Sequence, residues 1–385
     1  MKSVNTILAT ILFITAGCTG NRQSVDALIT VDVTVNYPKK ELILQDFMDV
    51  EYIPLETADD FLTQCYVRDI GKEIIPVTNL NNDGDIFLFD RKTGKGLRKI
   101  NRKGQGGEEY SSIVGIILDE DNGELFINSP AKKILVYDLY GNFKRSFGYA
   151  GGASYSDIFN YDRDNLICYD YSEYYNDGKD RSKSYHLIIS KQDGSITREI
   201  QIPFKTIISL IVVKGDGTAA ATVFPIIPYC GNWILADTSS DTVYGYAPDG
   251  NISPFIVRTP SLHDMAEVFL SMSIITDRYY FMKTIKREYD FEKMIGFPIT
   301  GLICYDRQEK AIFKYTVYND DYTDKKAVNM TLQPLNHEIA SGQRLEAHRL
   351  VEDYGNGKLK GRLKEIAAGL DEESNPVVML IKHKK

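Results

Sequence analysis

The chain repeats one short pattern five times, and this repetition limits the folds that it can adopt. In each copy an alternating apolar run reaches a polar turn, usually closed by glycine, and the alternation then resumes. The copies are Ile86–Gly94, Ile134–Gly141, Leu187–Gly194, Val243–Gly250 and Leu302–Lys310, the last without its glycine. Matched positions in successive copies, from Asp90 to Asp306, are 48, 52, 57 and 59 residues apart. Short strands that recur at about 40–50 residues are typical of a β-propeller.

Strand-like segments at both ends of the chain predict how such a propeller closes. Val50–Leu55 precedes the first repeat, which runs from Tyr66 to Asn101, and Val377–Ile381 follows the last. If these segments pair in one blade, the exposed sheet edges that closed propellers avoid are removed. Five repeats and one shared blade therefore predict an all-β, six-bladed β-propeller over residues 30–385.

One stretch before the final strand has helical rather than strand periodicity. Apolar residues between Ala347 and Ile366 recur mostly at spacings of three and four, with an interruption at Gly355–Gly357 and a stop at Gly369. We expect a helical insertion in the last blade, at about residues 341–369, that covers the core rather than forming a groove for a partner.

The N terminus has the features of a signal peptide. A basic start leads into the apolar run Thr6–Thr15, which is too short to span a bilayer, and then into Ala16-Gly17-Cys18. This ending resembles a bacterial lipobox, which implies removal of residues 1–17 and lipid attachment to Cys18; ordinary secretion with an incidental cysteine is the alternative. Residues 18–29 would be a tether. They lack an acidic run after the cysteine, which favours an outer-membrane or cell-envelope lipoprotein that faces the periplasm.

Charge and cysteine usage exclude several kinds of partner. The formal net charge of −8 gives no counterion-release attraction to nucleic acid, and anionic headgroups repel the chain, so membrane contact depends on the lipid anchor. The remaining cysteines are Cys65, Cys168, Cys230 and Cys304. They lie in or beside apolar strands of different repeats, which favours buried free thiols over the two disulfides that an oxidising compartment would allow. No Cys-x-x-Cys pair supports a zinc or redox motif.

The second repeat carries a family resemblance. Gly104, Gln105, Gly106, Glu109 and Tyr110 open it, and Ile116, Asp119, the strand run Lys133–Asp138 and the ending Gly141–Gly148 continue it. This unit resembles an NHL-type propeller repeat. With the two end segments, the mature chain resembles the six-bladed β-propeller lipoproteins of Bacteroides and relatives, which usually have Pro-Gly at the positions of Gly107 and Glu108. The resemblance implies the fold and the envelope location, and it implies no activity.

Candidate catalytic and metal-binding patterns are weak. The chain has five histidines without a shared motif, and His186 and His263, the two within repeats, are expected to be solvated or hydrogen-bonded. Asn79–Asp90 resembles a calcium loop, but no helix flanks it, and Asn-Asp-Gly between apolar runs favours a hairpin. Gly104–Tyr110 is expected to connect two blades rather than to bind an anion. There is no Gly-x-Ser-x-Gly or phosphate-loop motif. We therefore predict no catalytic residue, metal or cofactor.

A long aromatic hairpin loop in the third repeat is the best binding candidate. The candidate residues are Tyr169, Asp170, Tyr171, Glu173, Tyr174 and Tyr175, with Tyr155 and Tyr161 nearby. Tyrosine pairs a flat apolar face with a polar tip, which suits sugar rings or peptides; packing within the hairpin is the alternative. We expect a binding or scaffold module for a glycan, a peptide or an envelope protein. A propeller lyase or hydrolase with a site in the central channel is the second hypothesis.

The lipid-anchor prediction is open to a direct test. The variant Cys18→Ser should lose fatty acylation and move from the membrane to the soluble fraction, because acyl chains supply most of the membrane affinity, at about 0.8 kcal/mol per buried methylene. Intact-mass measurement and membrane fractionation report the outcome, with Cys230→Ser as the control that keeps the lipid. A Cys18→Ser protein that stays in the membrane fraction would contradict the prediction.

Overall fold

The alternating runs of the repeats form antiparallel sheets in the computed structural model, which describes residues 28–384. Together with a sheet built from both ends of the chain they make a six-bladed β-propeller, as predicted. The predicted signal peptide, most of the tether and the lipid-attachment residue Cys18 lie outside the described residues.

Blades 1 to 3 each contain four antiparallel strands, which follow one another in chain order from the channel outward. Blade 1 comprises Tyr66–Val67, Ile74–Thr78, Asp85–Asp90 and Gly96–Asn101. Blade 2 comprises Gly115–Asp119, Glu124–Ser129, Lys133–Asp138 and Phe143–Gly148. Blade 3 comprises Tyr155–Asn160, Asn165–Asp170, His186–Ser190 and Ile196–Ile200.

Blades 4 and 5 each gain a parallel outermost strand from the N-terminal segment. Blade 4 comprises Ile226–Tyr229, Asn232–Leu235, Thr242–Tyr246 and Ile252–Thr259, with Ile29–Asp32 outside them. Blade 5 comprises Val268–Ile275, Tyr279–Lys286, Ile299–Asp306 and Ala311–Asn319, with Lys39–Ile43 and the short Lys326–Ala327 on its last strand. Ile29 and Val31 are buried against blade 4, so this parallel strand is part of the propeller core.

Blade 6 closes the ring with strands from both ends of the chain. Ile339–Leu345 and Val377–His383 come from the C-terminal part, and Met48–Pro54 pairs antiparallel with Val377–His383 over its whole length. The predicted pairing of the two end segments is therefore present.

Ile339–Leu345 runs opposite to the first strand of blade 1, as a second strand of a blade does. The Asn336 amide, before this strand, donates to the carbonyl oxygen of Ile70 at 2.8 Å, beyond the end of the blade 1 strand. Arg344, near its end, donates to the carbonyl oxygen of Gln64 at 2.8 Å, before the blade 1 strand begins. The three strands of blade 6 therefore correspond to the second, third and fourth strands of the other blades, and residues 329–335 lie beside Ile339–Leu345 in the place of a first strand.

The repeated polar turns connect the third and fourth strands of blades 1 to 5. Their closing glycines adopt left-handed backbone, as at Gly94 with φ 71° and Gly250 with φ 89°. In the fifth copy Lys310 takes the same conformation, with φ 51°, where the glycine is missing. The turn geometry is thus kept even where its preferred residue has been lost.

Six apolar clusters lie between neighbouring blades and hold the ring together. One example joins blades 2 and 3 through Phe126, Val136, Leu166 and Ile189, all fully buried; another joins blade 6 to blade 1. Each buried Leu, Ile or Phe side chain adds about 1.5–3 kcal/mol to the stability of the folded state. Because every blade contributes to two clusters, the core is continuous around the ring.

The helices are few and short. They are Leu44–Phe47, Ala347–Gly355 and Gly361–Ala367, with single 3-10 turns at Asp59–Phe61 and Ala150–Gly152. The last two α-helices form the predicted insertion in the last blade, between Ile339–Leu345 and Val377–His383. Leu350, Leu363 and Ile366 pack into the cluster between blades 5 and 6. Between residues 28 and 384 no helix has the length and apolar character to cross a bilayer.

Cysteines 65, 168, 230 and 304 are free. Cys65, Cys168 and Cys304 are buried among apolar strands, as predicted. Cys230 is exposed, and its predicted burial is wrong. It occupies a tight turn with φ 43° before Gly231, where the side chain projects away from the sheet.

A buried ion pair fastens blade 3 to blade 2. The Lys191 ammonium lies 2.6 Å from the Asp119 carboxylate, and both side chains are only 6% exposed. The same ammonium donates to the carbonyl oxygen of Asp162 at 2.8 Å. Loss of one partner leaves the other charge buried and unpaired, which is more costly than loss of the pair's own attraction.

Lys191→Met should lower the free energy of unfolding by about 3 kcal/mol, because Asp119 then remains charged without its partner. Urea denaturation followed by circular dichroism gives the value. Lys205→Met is the matched control: its pair with Asp180 is exposed, at 84% and 59%, so a change of at most about 0.5 kcal/mol is expected. Equal losses of unfolding free energy in the two variants would show that burial does not increase the contribution of the ion pair to stability.

A second ion cluster holds the parallel strand Lys39–Ile43 onto blade 5. The Asp306 carboxylate, in the fifth repeated turn, lies 2.7 Å from Lys40 and 3.1 Å from Arg278. Burial opposes its charge, but hydrogen bonds from Arg278 and Lys40 outweigh burial and lower the pKa of Asp306 to about 2. The carboxylate therefore stabilises the fold wherever it is ionised.

Since the pKa of Asp306 is lower in the folded than in the unfolded chain, its contribution is present above about pH 4 and is lost as the pH falls through 2. Asp306→Asn should cost about 2 kcal/mol at pH 7 and flatten the acid limb of the stability curve below pH 4. Unfolding free energies measured from pH 7 to pH 2 test this. A variant curve parallel to the wild-type curve would contradict it.

Candidate functional site

Long insertions gather at one face of the ring, which we call the loop face. They are the loop between Asp170 and His186 in blade 3, the hairpin Ile211–Ala220 after it, and the hairpin Tyr289–Gly296 in blade 5. Arg287 ties all three together, since it donates to the carbonyl oxygen of Ile211 at 2.8 Å and pairs with Asp177 at 2.5 Å. The insertions thus form one connected rim.

The segment between blades 5 and 6 runs through the channel. Gln333 donates its amide to the carboxylate of Asp157, on the inner strand of blade 3, at 2.5 Å. Farther along, the rings of His337 and Trp233, from blade 4, are 4.6 Å apart in an edge-to-face arrangement. This course follows because the segment takes the place of a first strand in blade 6 and turns at Asn336 into Ile339–Leu345.

The space left between this segment and the blades is a cavity of about 950 Å³. Its wall is formed by the inner strands of blades 1, 2, 3 and 6, by residues 220–225 before blade 4, and by the channel segment from 329 to 337. Aromatic side chains dominate the wall toward the rim, and Trp233 lies beside His337 deeper in. This volume and this apolar wall with a few polar groups are typical of a ligand site.

The predicted aromatic loop reaches this cavity. Tyr169, Tyr171, Tyr174 and Tyr175 all line it. Tyr171 and Tyr175 are exposed, at 39% and 57%, whereas Tyr169 is buried and donates to Asp237 at 3.0 Å. The Tyr174 hydroxyl accepts the backbone N–H of Leu210 at 3.1 Å, which fixes the loop to the neighbouring hairpin.

The two acids of the predicted site do not line the cavity. Asp170 accepts the backbone N–H groups of Ser154 and Ser172 and pairs with Lys183 at 2.6 Å. Glu173 accepts hydrogen bonds from Ser182 and from the Tyr185 hydroxyl. These carboxylates hold the base of the loop in place and give the tyrosines their position.

The glycine-rich motif connects blades 1 and 2. Glu109 accepts the backbone N–H of Gly106 at 2.7 Å, and its carboxylate occupies the space that a side chain at Gly104 would need. Tyr110 is buried, and its hydroxyl donates to the carbonyl oxygen of Gly84 at 2.7 Å. Gln105 is exposed. The contacts of the other motif residues therefore stabilise the connecting loop.

Two carboxyl groups and one imidazole of the wall have shifted pKa values that bear on catalysis. Burial raises the pKa of Asp69 to about 7, although the backbone N–H groups of Leu118 and Ile70 stabilise its carboxylate. Burial also raises the pKa of Asp157 to about 6. Burial lowers the pKa of His337 to about 4, so this imidazole is neutral at pH 7. Within residues 28–384 no hydrogen bond joins His337 to either carboxylate.

The structure also shows where the two histidines of the repeats and the calcium-like segment lie. His186 is buried, with Nε2 3.1 Å from the carbonyl oxygen of Pro225, and His263 is exposed. The calcium-like segment forms the hairpin turn between the second and third strands of blade 1, with Asn82 and Gly84 in left-handed conformation. In the part of the chain that the structure describes, no cluster of His, Cys, Asp or Glu is placed to hold a metal ion.

Sequence reasoning missed the channel residues Asp157, Gln333, His337 and Trp233. Asp157 and Gln333 are 176 positions apart in the chain, and no local pattern predicts that such distant residues meet. The one usable signal was length: the stretch between the fifth repeat and the last blade is long for a simple connection.

Comparison with known proteins identifies the fold family. The family described as 6-bladed beta-propeller, DUF5128, matches residues 20–339 and so ends where Ile339–Leu345 begins. Among curated proteins none matches the chain significantly.

Two solved structures are similar to this chain at low sequence identity. A candidate exported protein of Bacteroides fragilis is 16% identical with a TM-score of 0.58, over 93% of this chain and 100% of that chain. A DUF4221 member from Bacteroides vulgatus is 10% identical with a TM-score of 0.45, over 72% of this chain and 90% of that chain. At these identities the likeness concerns the fold alone.

Proposed function

Because the chain belongs to the DUF5128 family of six-bladed β-propellers, we propose that it is an exported binding protein. Its central cavity takes up a ligand of the size of a small oligosaccharide or a short peptide. Lipid on Cys18 holds the protein at the bacterial envelope, facing the periplasm. The N-terminal sequence supports this location, as does the likeness to a candidate exported protein of Bacteroides fragilis.

The observation that carries the proposal is the aromatic cavity itself. A channel of about 950 Å³ remains open although the segment 329–337 passes through it, and four tyrosines of one fastened loop line it. An empty apolar space would be filled by side chains if only stability mattered, since protein interiors are close-packed. Rigid tyrosines bind sugars and peptides with little loss of conformational entropy.

The same wall argues for binding over catalysis. Asp69 is engaged by two backbone N–H groups. His337 has no partner on Nδ1 among the described residues, so no acid orients it as a general base. A lyase or hydrolase needs such paired groups near the reacting atoms. A scaffold for an envelope protein remains the second candidate, supported by the connected rim around the cavity mouth.

A cavity-filling variant tests the proposal. Gly115 lines the cavity, and a β-carbon added there meets nothing closer than 3.9 Å, so Gly115→Phe should fold while its ring occupies the ligand space. Wild-type protein should bind at least one member of a panel of envelope glycans and peptides, and Gly115→Phe should bind it at least about tenfold more weakly, a loss of about 1.4 kcal/mol. Melting curves and fluorescence of Trp233, the single tryptophan, report binding.

Gly107→Phe is the matched control, because Gly107 is exposed, has open space around its β-carbon position and lies outside the cavity. It should bind like the wild type. Equal affinity of Gly115→Phe and wild type would place the ligand elsewhere. No binding by any panel member, together with capture of an envelope protein by the wild type, would favour the scaffold.

A further inference from the structure

Asp157 lies in the cavity wall, and no cationic side chain of residues 28–384 pairs with it. It sits midway along the inner strand of blade 3, between Tyr155 and Phe159, which also line the cavity. The groups that act on its carboxylate are the Gln333 amide, the Ser156 hydroxyl and its own backbone N–H. None of them carries a positive charge, and a half-buried carboxylate without a counter-ion is unfavourable.

The cations of the cavity wall are engaged elsewhere. Among the described residues the wall contains two, Arg68 and Arg344. Arg68 donates to the Thr78 hydroxyl at 2.8 Å and lies over the ring of Tyr66, with 4.3 Å to its centroid. Arg344 donates to a backbone carbonyl and pairs with Glu346 at 3.0 Å. Of the two wall carboxylates, Asp69 accepts the backbone N–H groups of Ile70 and Leu118, whereas Asp157 meets the neutral side chain of Gln333 and is the one that a ligand cation can pair with.

Aromatic side chains line the same cavity as this carboxylate. Phe159 is two residues from Asp157, and its ring lies 5.9 Å from that of Trp233. Aromatic faces attract ammonium and guanidinium groups as well as sugar rings, most strongly where water is excluded. A carboxylate beside such faces is a combination that recognises an organic cation.

We propose that the cavity selects a ligand that bears a protonated primary amine, and that Asp157 is the counter-ion of this amine. The inference rests on the proposed binding function and specifies its ligand chemistry. The amine displaces Gln333 from Asp157, or shares the carboxylate with it, while the remainder of the ligand lies against the tyrosines of the blade 3 loop. An amino sugar and a lysine side chain of a peptide both supply such a group.

Paired probes separate the amine from the rest of the ligand. Glucosamine is compared with glucose and N-acetylglucosamine, and an acetylated lysine amide with its norleucine analogue, in each case by calorimetry and Trp233 fluorescence. We expect the amine of the correct pair to bind about tenfold or more tighter than its neutral partner, as for a charge-assisted hydrogen bond in a sheltered site. The pair that responds distinguishes an amino-sugar ligand from a peptide ligand.

Variants assign the preference to Asp157. Asp157→Asn should abolish the difference between amine and neutral probes, whereas Asp216→Asn, which removes the same charge from an exposed position in the rim hairpin, should leave it unchanged. Gln333→Lys places an amine beside Asp157 from within the chain. It should raise Tm by about 2 °C or more over Gln333→Met and weaken the binding of the amine probe.

The outcomes separate the two proposals. If neutral and amine probes bind equally and Gly115→Phe blocks both, the cavity is a binding site but the amine inference is wrong. If no probe binds, Gln333→Lys decides the inference alone: the same Tm as Gln333→Met overturns it, and a higher Tm upholds Asp157 as an ammonium site. An amine preference that survives in Asp157→Asn also overturns it.

Discussion

The pairing of Met48–Pro54 with Val377–His383 is the contact on which the rest of the structure depends. It joins the two ends of the chain in one blade, so the ring closes and both exposed edges disappear. An open ring would leave the cluster between blades 6 and 1 half exposed. It would also leave the cavity without one wall. Closure therefore supports stability and the binding site at the same time.

The irregular first segment of blade 6 has a consequence for the channel. Residues 329–335 run beside Ile339–Leu345 in the place of a first strand, so this segment passes along the channel. This path brings Gln333 to Asp157 and His337 to Trp233. It narrows the channel into a cavity and supplies polar groups to its interior. The course of this segment thus determines the shape and the chemistry of the candidate site.

The rim shows how loops gain a defined position on a rigid ring. Asp170 and Glu173 form their ion pair and hydrogen bonds within the blade 3 loop. Arg287 links that loop to the two hairpins beside it. Tyr171 and Tyr175 can therefore remain exposed without the loop losing its place. Their exposed rings are available to a ligand, whereas the neighbouring acids already have partners within the loop.

The sequence by itself determined the strands, the repeated turns, the six blades and the use of both chain ends in one blade, because alternation and turn residues are local signals. It also indicated the tyrosine loop, whose composition is unusual. Only the tertiary structure decided that Ile29–Asp32 and Lys39–Ile43 add parallel edges to blades 4 and 5, that residues 329–335 take the first-strand place in blade 6, and that Asp157 meets no cationic side chain among residues 28–384. These features depend on contacts between residues far apart in the chain, and such contacts produce no periodic pattern in the sequence.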